Sequence, residues 1–446
     1  PISLAHPRPI PGEHVLLTLW TTALAAGLSI PHQHYELPNG LDVVLAPDRS
    51  NPIVHVQIWY HVGSKDERAG RTGFAHLFEH LMFQGSLNSP GEYFTPIQEI
   101  GGDLNGTTNP DRTNYYETVP SQYLPLVLFL ESDRMGHLLE VLDQGKLDNQ
   151  REVVRNERRQ RYETPPYGTA WVTLMGLLFP EGHPYHHATI GSHADLEAAT
   201  LEDVTTFFRQ WYTPDNATLV ITGDFKPGTA KKLVKENFGW IPRGPGVQRA
   251  AFTPSALAES RVEVQHQKVP DGKVWLAWTS PPIFQRGDAE LDLVASILCD
   301  GKDSRLYTTL VRDRRLARDI DCGQGSRTLQ STFIFEATAA DGVATTDVAA
   351  AILAELDALT STRPPTADEL EAARAGYEVS FYRRMSTIAG KGGMLSAYLD
   401  LGGGADRAAE DLARYTVLTP VELLKAAQDT LGRPHVELHI LPEVAP

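Results

Sequence analysis

Between residues 34 and 45 apolar and polar positions alternate with a period of two, and Pro38-Asn39-Gly40 interrupts them. Asn-Gly between two such runs predicts a β-hairpin. Residues 53–59 continue the sheet, and residues 63–73 form a polar, glycine-bearing loop. The period then lengthens. Leu77, Phe78, Leu81, Met82 and Phe83 recur at helical spacing and leave one polar stripe, His76, Glu79 and His80. Two strands rich in Thr, Tyr and Val follow at 101–108 and 112–120, the first glycine-rich. Residues 121–143 read as a helix with Leu124, Val127, Leu128, Leu130 and Leu138 inward. Helices are expected around Glu157, over 169–179 and over 201–211, and a strand over 218–224. A Pro/Gly-rich stretch from Ile241 to Pro254 reads as a linker.

The halves on either side of that linker repeat one another. A shift of about 216 places Gly85 on Gly301 and the 74–84 helix on 290–300. It also brings strand 218–222 near 435–441 and helix 201–211 near 418–427. A chain of 446 residues exceeds what one core supports, and duplication is the economical account. The expected fold is α+β: two homologous α/β sandwich domains, each a mixed or antiparallel sheet covered by helices. Residues 1–32 form a signal-like segment or arm, 33–240 the first domain, 241–256 the linker and 257–446 the second domain.

The polar stripe carries the chemistry. In His76-Leu77-Phe78-Glu79-His80 the histidines are four apart, so both imidazoles leave the helix on one face and can grip one ion. Two imidazoles at this spacing suit zinc, and a carboxylate beside them suits a general base. This order is the inverzincin pattern. A catalytic zinc wants a third protein ligand. Glu157 is the candidate, because Val153, four residues earlier, sets an apolar face toward which Glu157 points. Its partner is either a metal or one of the neighbouring arginines. In the duplicate the motif positions become Asp292, Ala295 and Ser296, so only the first half can hold the ion.

These two segments resemble the pitrilysin-type (insulinase) family, which includes the mitochondrial processing peptidases. The resemblance runs from about His34 to the C-terminus, with 76 residues between His80 and Glu157. It implies His76, His80 and Glu157 as zinc ligands, Glu79 as general base and a zinc-dependent endopeptidase. The acidic residue expected seven positions before the third ligand is replaced by Gln150, an amide that can still support the site by hydrogen bonding. The resemblance also makes the glycine-rich strand a sheet edge to which a peptide adds, with Leu104, Asn105 and Gly106 against the substrate backbone. An ordinary hairpin is the other reading of that segment. In the second half Arg312 fits the arginine that holds substrate in this family. The tyrosine expected about seven residues on is absent, since Arg318 and Asp319 stand there. A related subunit supplying the Arg/Tyr pair is therefore expected, as a heterodimer rather than a homodimer, unless Tyr307 or another tyrosine substitutes. The alternative is a non-catalytic subunit that presents substrate. The run His183-Pro184-Tyr185-His186-His187 is read as a structural turn and not a metal site.

Net charge is −16, which disfavours nucleic acid as a partner. The two cysteines, Cys299 and Cys322, exclude a disulfide framework or a cysteine zinc cluster; two buried free thiols are expected, with one bridge as the alternative. Residues 15–26 resemble a secretory h-region, with Arg8 before it and Ala23-Leu24-Ala25 after it, too short to span a bilayer. Glu13 lies close to it, and an amphipathic arm is the other reading. The expected location is the periplasm of a Gram-negative bacterium, with the cytoplasm as alternative.

Overall fold

The computed structural model describes residues 27–249 and 252–443. The signal-like stretch 15–26 lies outside the described residues. Just after it, Leu28 and Ile30 pack into a core, and the Ile30 N–H donates to Asp406 Oδ2 at 2.7 Å.

The first sheet contains β1 (Gln33–Glu36), β2 (Asp42–Pro47), β3 (Ile53–Tyr60), β4 (Asp103–Thr108), β5 (Thr113–Pro120) and β6 (Ala217–Gly223). Its order is β1-β2-β6-β3-β5-β4. The second contains β7 (Arg261–Gln267), β8 (Lys273–Ser280), β9 (Ala317–Gly325), β10 (Ser331–Ala339) and β11 (Val436–Pro442), in the order β7-β11-β8-β10-β9. Without β1 the two orders match strand for strand, and each sheet has one parallel pair, β2–β6 or β7–β11. The expected hairpin is β1–β2, with Gly40 at φ +90° and the Asn39 amide tied to the Phe238 and Ile241 carbonyls. Gly85 and Gly301, paired by the repeat, are both left-handed, at φ +80° and +77°.

Helices cover both faces of each sheet, which is why the central strands read as nearly unbroken apolar runs. Val43, Leu45, Leu219 and Ile221 face the first half's own helices. Val44, Ala46 and Val220 point the other way, onto Met394, Leu395 and Tyr398 of helix Ile388–Asp400, which comes from the second half. The exchange is reciprocal. Helix Ala170–Leu178 of the first half packs on Trp275, Ala277, Val436, Leu438 and Ile440 of the second sheet. Polar bonds cross the same seam: Gln57 Nε2 donates to Ser396 Oγ at 2.5 Å, and His61 Nδ1 lies 2.6 Å from Asp400 Oδ1.

The thiol expectation is corrected. Cys299 and Cys322 are joined as a disulfide, with Cα atoms 5.7 Å apart. Cys299 ends the helix Asp288–Cys299, which packs on β9, where Cys322 lies. A separation of 23 residues gives no sign of that contact. Among the described residues no helix is long and apolar enough to cross a membrane.

Candidate metal centre

The motif helix, α1 (Phe74–Leu81), begins at Gly73, whose φ of +91° and closeness to the Ile190 carbonyl leave no room for a side chain. A glycine cannot cap a helix with its own side chain, so the first amides need another acceptor. Glu67 supplies it: its two carboxylate oxygens accept from Gly73 N and Ala75 N, each at 2.8 Å. Burial pushes the Glu67 carboxyl up, against the pull of those two amides. Sequence reasoning missed this residue, because Lys65-Asp66-Glu67-Arg68 looks like a solvated loop.

Leu77, Phe78 and Leu81 anchor α1 in the core, Phe78 stacking on Phe207 with ring centroids 5.3 Å apart. That leaves His76, Glu79 and His80 on a cavity of about 390 Å³ shared with Asn105, Gly106, Thr107, Thr108, Glu157 and Arg161. Glu157 comes from α2 (Gln144–Arg158). Its inward direction follows Val154, which is fully buried, whereas Val153 is 40% exposed. The face assigned from Val153 is thus corrected by one residue. Beyond Arg158 the chain widens into a π-turn over Arg159–Glu163, closed by Thr164 N to Arg159 O at 2.8 Å.

Glu157 Oε2 lies 3.2 Å from His80 Nε2 and 3.6 Å from His76 Nε2. The three ligand atoms fall within 4.8 Å of one another, and among the described residues no other three His, Cys, Asp or Glu side chains converge this way. Donors sharing a tetrahedral zinc at about 2.0–2.1 Å lie about 3.3 Å apart, so two imidazoles and a carboxylate at this spacing fit that ion. Burial, then the neighbouring His80, lowers His76 to about 4, which keeps its imidazole neutral and able to ligate. Burial alone would raise Glu157, but His80 and His76 outweigh it and hold the carboxylate below its usual range. The metal and arginine alternatives for Glu157 are compatible, since Oε1 sits 2.8 Å from Arg161 Nη1. Glu79 is raised, by burial first, with the Thr108 hydroxyl and His80 opposing.

The glycine-rich strand is β4, the outermost strand of its sheet. Leu104 turns its side chain into the core, while Asn105 and Gly106 line the cavity. Gly106 N–H is held by Asn105 Oδ1 at 2.9 Å, and a Cβ on Gly106 would press on the Phe83 and Tyr115 rings at 3.1 Å. Past β4, Asp111 accepts from Tyr185 Oη and Thr328 Oγ1, both at 2.6 Å, and from Thr328 N at 3.1 Å. The strand's turn is thereby latched to the second half. Tyr185 belongs to the histidine-rich turn, where the His183 ring accepts from Tyr185 N and His187 Nδ1 lies 3.7 Å from Glu67. Gln150 is buried, donates to Asn149 Oδ1 at 2.9 Å and does not line the cavity. Arg312 also lies outside the cavity lining, exposed and paired with Asp313 at 2.9 Å.

The sequence profile of the insulinase family (peptidase family M16) matches residues 42–168, which contain all four residues of this centre. The profile of the peptidase M16 inactive domain matches residues 198–377. The chain belongs to the M16 family. It is 28% identical to the zinc protease PqqE of Helicobacter pylori over 392 residues, 86% of this chain and 87% of PqqE. It is 27% identical to the mitochondrial-processing peptidase beta subunit of Blastocladiella emersonii over 260 residues, 57% of this chain and 55% of that subunit. A crystal structure of a protease from H. pylori superposes with a TM-score of 0.85 at 26% identity, covering 92% of this chain and all of that one. The first half of the periplasmic protease PqqL from Escherichia coli shares the fold, with a TM-score of 0.75 at 18% identity and 93% of each chain covered. The M16 chain spans 48% of complete PqqL.

In the second half of this M16 chain Asp292 takes the position that the repeat assigns to His76. Its Oδ2 accepts from Tyr415 Oη at 2.6 Å. Burial, then Asp288, pushes its carboxyl up to about 7. An ordinary aspartate titrates near 3.9 in the unfolded chain, so between about pH 4 and 7 the folded state holds the extra proton. Stability should therefore fall as pH rises through that window, by at most about 4 kcal/mol. Asp292→Asn keeps an acceptor for Tyr415 and cannot ionise. Urea titrations at pH 5 and 8 should show a shallower pH slope for the variant, and equal slopes would assign the titration elsewhere.

Proposed function

We propose that this chain is a zinc-dependent endopeptidase that cleaves peptides or unfolded segments in a cleft completed by a second subunit. The observation that carries the reading is the convergence of His76, His80 and Glu157 beside Glu79 and a sheet edge. His76, His80 and Glu157 would hold one zinc per chain. When bound, the ion acts as a Lewis acid toward the scissile carbonyl and makes water acidic enough to lose a proton near neutral pH. Glu79 takes that proton as the water oxygen bonds to the carbonyl carbon. It then delivers the proton to the departing amine nitrogen as the C–N bond breaks. Burial, which raises Glu79, makes it a better base than an exposed carboxylate and suits it to both transfers. The peptide backbone adds to β4 along Leu104, Asn105 and Gly106, taking the Gly106 N–H now held by Asn105.

A related partner subunit would supply the Arg/Tyr pair. Two facts support it: this chain covers 48% of the single-chain PqqL structure, and its mitochondrial relative is itself a subunit. Arg312, exposed and away from the cavity, would hold substrate only once the assembly closes. A periplasmic location is proposed by analogy with PqqL.

Metal analysis of the purified chain should find one equivalent of zinc, lost in His80→Ala. Unstructured peptides should be hydrolysed only by the loaded protein, alone or with the subunit that co-purifies. A chain that takes up no zinc would remove this reading.

A further inference from the structure

Three arginines follow Glu157 closely, and two are engaged elsewhere. Arg158 pairs with Glu163 at 3.1 Å and also binds the Gly191 carbonyl, and Arg159 donates to Asn156 Oδ1 at 2.5 Å. Arg161 alone of the three lines the cavity, four residues past Glu157 and within the π-turn. Among the described residues it is the only lysine or arginine in the lining. Its single carboxylate contact within 4.0 Å is Glu157 Oε1, the oxygen turned away from the imidazoles, and its side chain is 72% exposed. Most of its five N–H donors thus remain open to the cleft. Across the cavity stand Asn105, Gly106, Thr107 and Thr108, all uncharged.

We propose that Arg161 determines specificity, by receiving a carboxylate from the aspartate or glutamate side chain of a peptide next to the scissile bond. This rests on the endopeptidase reading. A peptide lying on β4 passes between uncharged lining residues, with the largely buried Arg112 guanidinium behind Thr107, and the exposed guanidinium of Arg161. With a divalent cation seated, Glu79 and Glu157 are offset and Arg161 leaves the cleft locally positive. The net charge of −16 is a property of the whole chain, and screening within about 8–10 Å keeps its distant part from cancelling the local field. A guanidinium fork matches a carboxylate bidentately, which lysine does not.

The test starts from a peptide that the unaltered protein, with any co-purifying subunit, is seen to cleave. Cleavage of no peptide at all would instead defeat the endopeptidase reading. Versions of that peptide carrying Glu, Gln or Lys on each side of the cut are then titrated onto zinc-loaded Glu79→Gln protein, whose turnover, slowed about 10³-fold, lets binding be read before cleavage. The Glu version should bind about tenfold tighter than Gln at one of the two positions. Adding Arg161→Gln should erase that preference, and Arg161→Glu should turn it toward Lys. Zinc affinity, measured by chelator competition, should change by no more than a few-fold. The proposal is overturned if no charge preference exists, if it survives in Arg161→Gln, or if all three peptides weaken equally as zinc affinity falls. The last result would make Arg161 only a positioning residue for Glu157.

Discussion

Glu79→Gln will fold, retain one zinc per chain and hydrolyse peptides about 10³-fold more slowly, the usual worth of a well-placed general base. The substitution is nearly isosteric, and Glu79 is not one of the three side chains whose ligand atoms converge at the candidate metal site. Glutamine removes only the capacity to accept and return a proton. Loss of rate should therefore appear in kcat, with peptide affinity and zinc content little changed. Glu157→Gln should behave differently. That carboxylate faces both imidazoles at 3.2 and 3.6 Å, so its neutralisation should empty the site and remove activity with the metal. Single-turnover rates and zinc content, measured on both variants, separate the two roles. Full activity in Glu79→Gln would show that another group handles the proton.

What was legible in the sequence followed from spacing. Histidines at i and i+4 in an apolar helix, a carboxylate at the right distance, Asn-Gly between alternating runs and a repeat of about 216 residues each encode geometry directly. What escaped depended on partners remote in sequence. Helices Ala170–Leu178 and Ile388–Asp400 both read as apolar, but nothing in that pattern says that each covers the other half's sheet. The Cys299–Cys322 bridge needed the contact between a helix end and β9. Glu67 serves α1 from a loop that looks solvated. Arg161 stands at helical spacing from Glu157, but that it alone of the neighbouring arginines lines the cavity shows only in the fold. At β4 the glycines were visible, and the edge position implied by the family resemblance is the one the strand order has.

The same limit hides the residue whose loss should cost the fold most. Arg134 sits in a helix with Glu131 and reads as half of a surface i, i+3 pair, yet both side chains are fully buried. Arg134 Nε donates to Glu131 Oε2 at 2.9 Å, and Nη2 lies 3.4 Å from Glu117 Oε1. The guanidinium packs among the rings of Tyr93 and Tyr115, at 4.1 and 4.3 Å from their centroids. Tyr93 Oη donates to Glu117 Oε1 at 3.1 Å. Glu117 is pushed well up, by burial first and by Glu131 next, and Arg134 opposes both. Arg134→Met keeps much of the volume but strands two buried carboxylates without a countercharge. A loss of about 3–5 kcal/mol in urea unfolding at pH 8 is expected. The penalty should shrink toward pH 5: protonation removes the unpaired charge, and a carboxyl raised in the folded state lends stability at low pH that it loses as pH rises. Exchanging all three at once, Arg134→Met with Glu117→Gln and Glu131→Gln, should recover much of the loss, because no bare charge then remains. The consequence reaches the candidate metal centre. Glu117 pairs with Leu104 across β5 and β4, and Tyr115 Oη donates to the Phe78 carbonyl of α1 at 3.3 Å. The network therefore braces both the β4 edge and the helix that carries the histidines. If Arg134→Met costs under about 1 kcal/mol at pH 8, the arginine is not what holds this layer together.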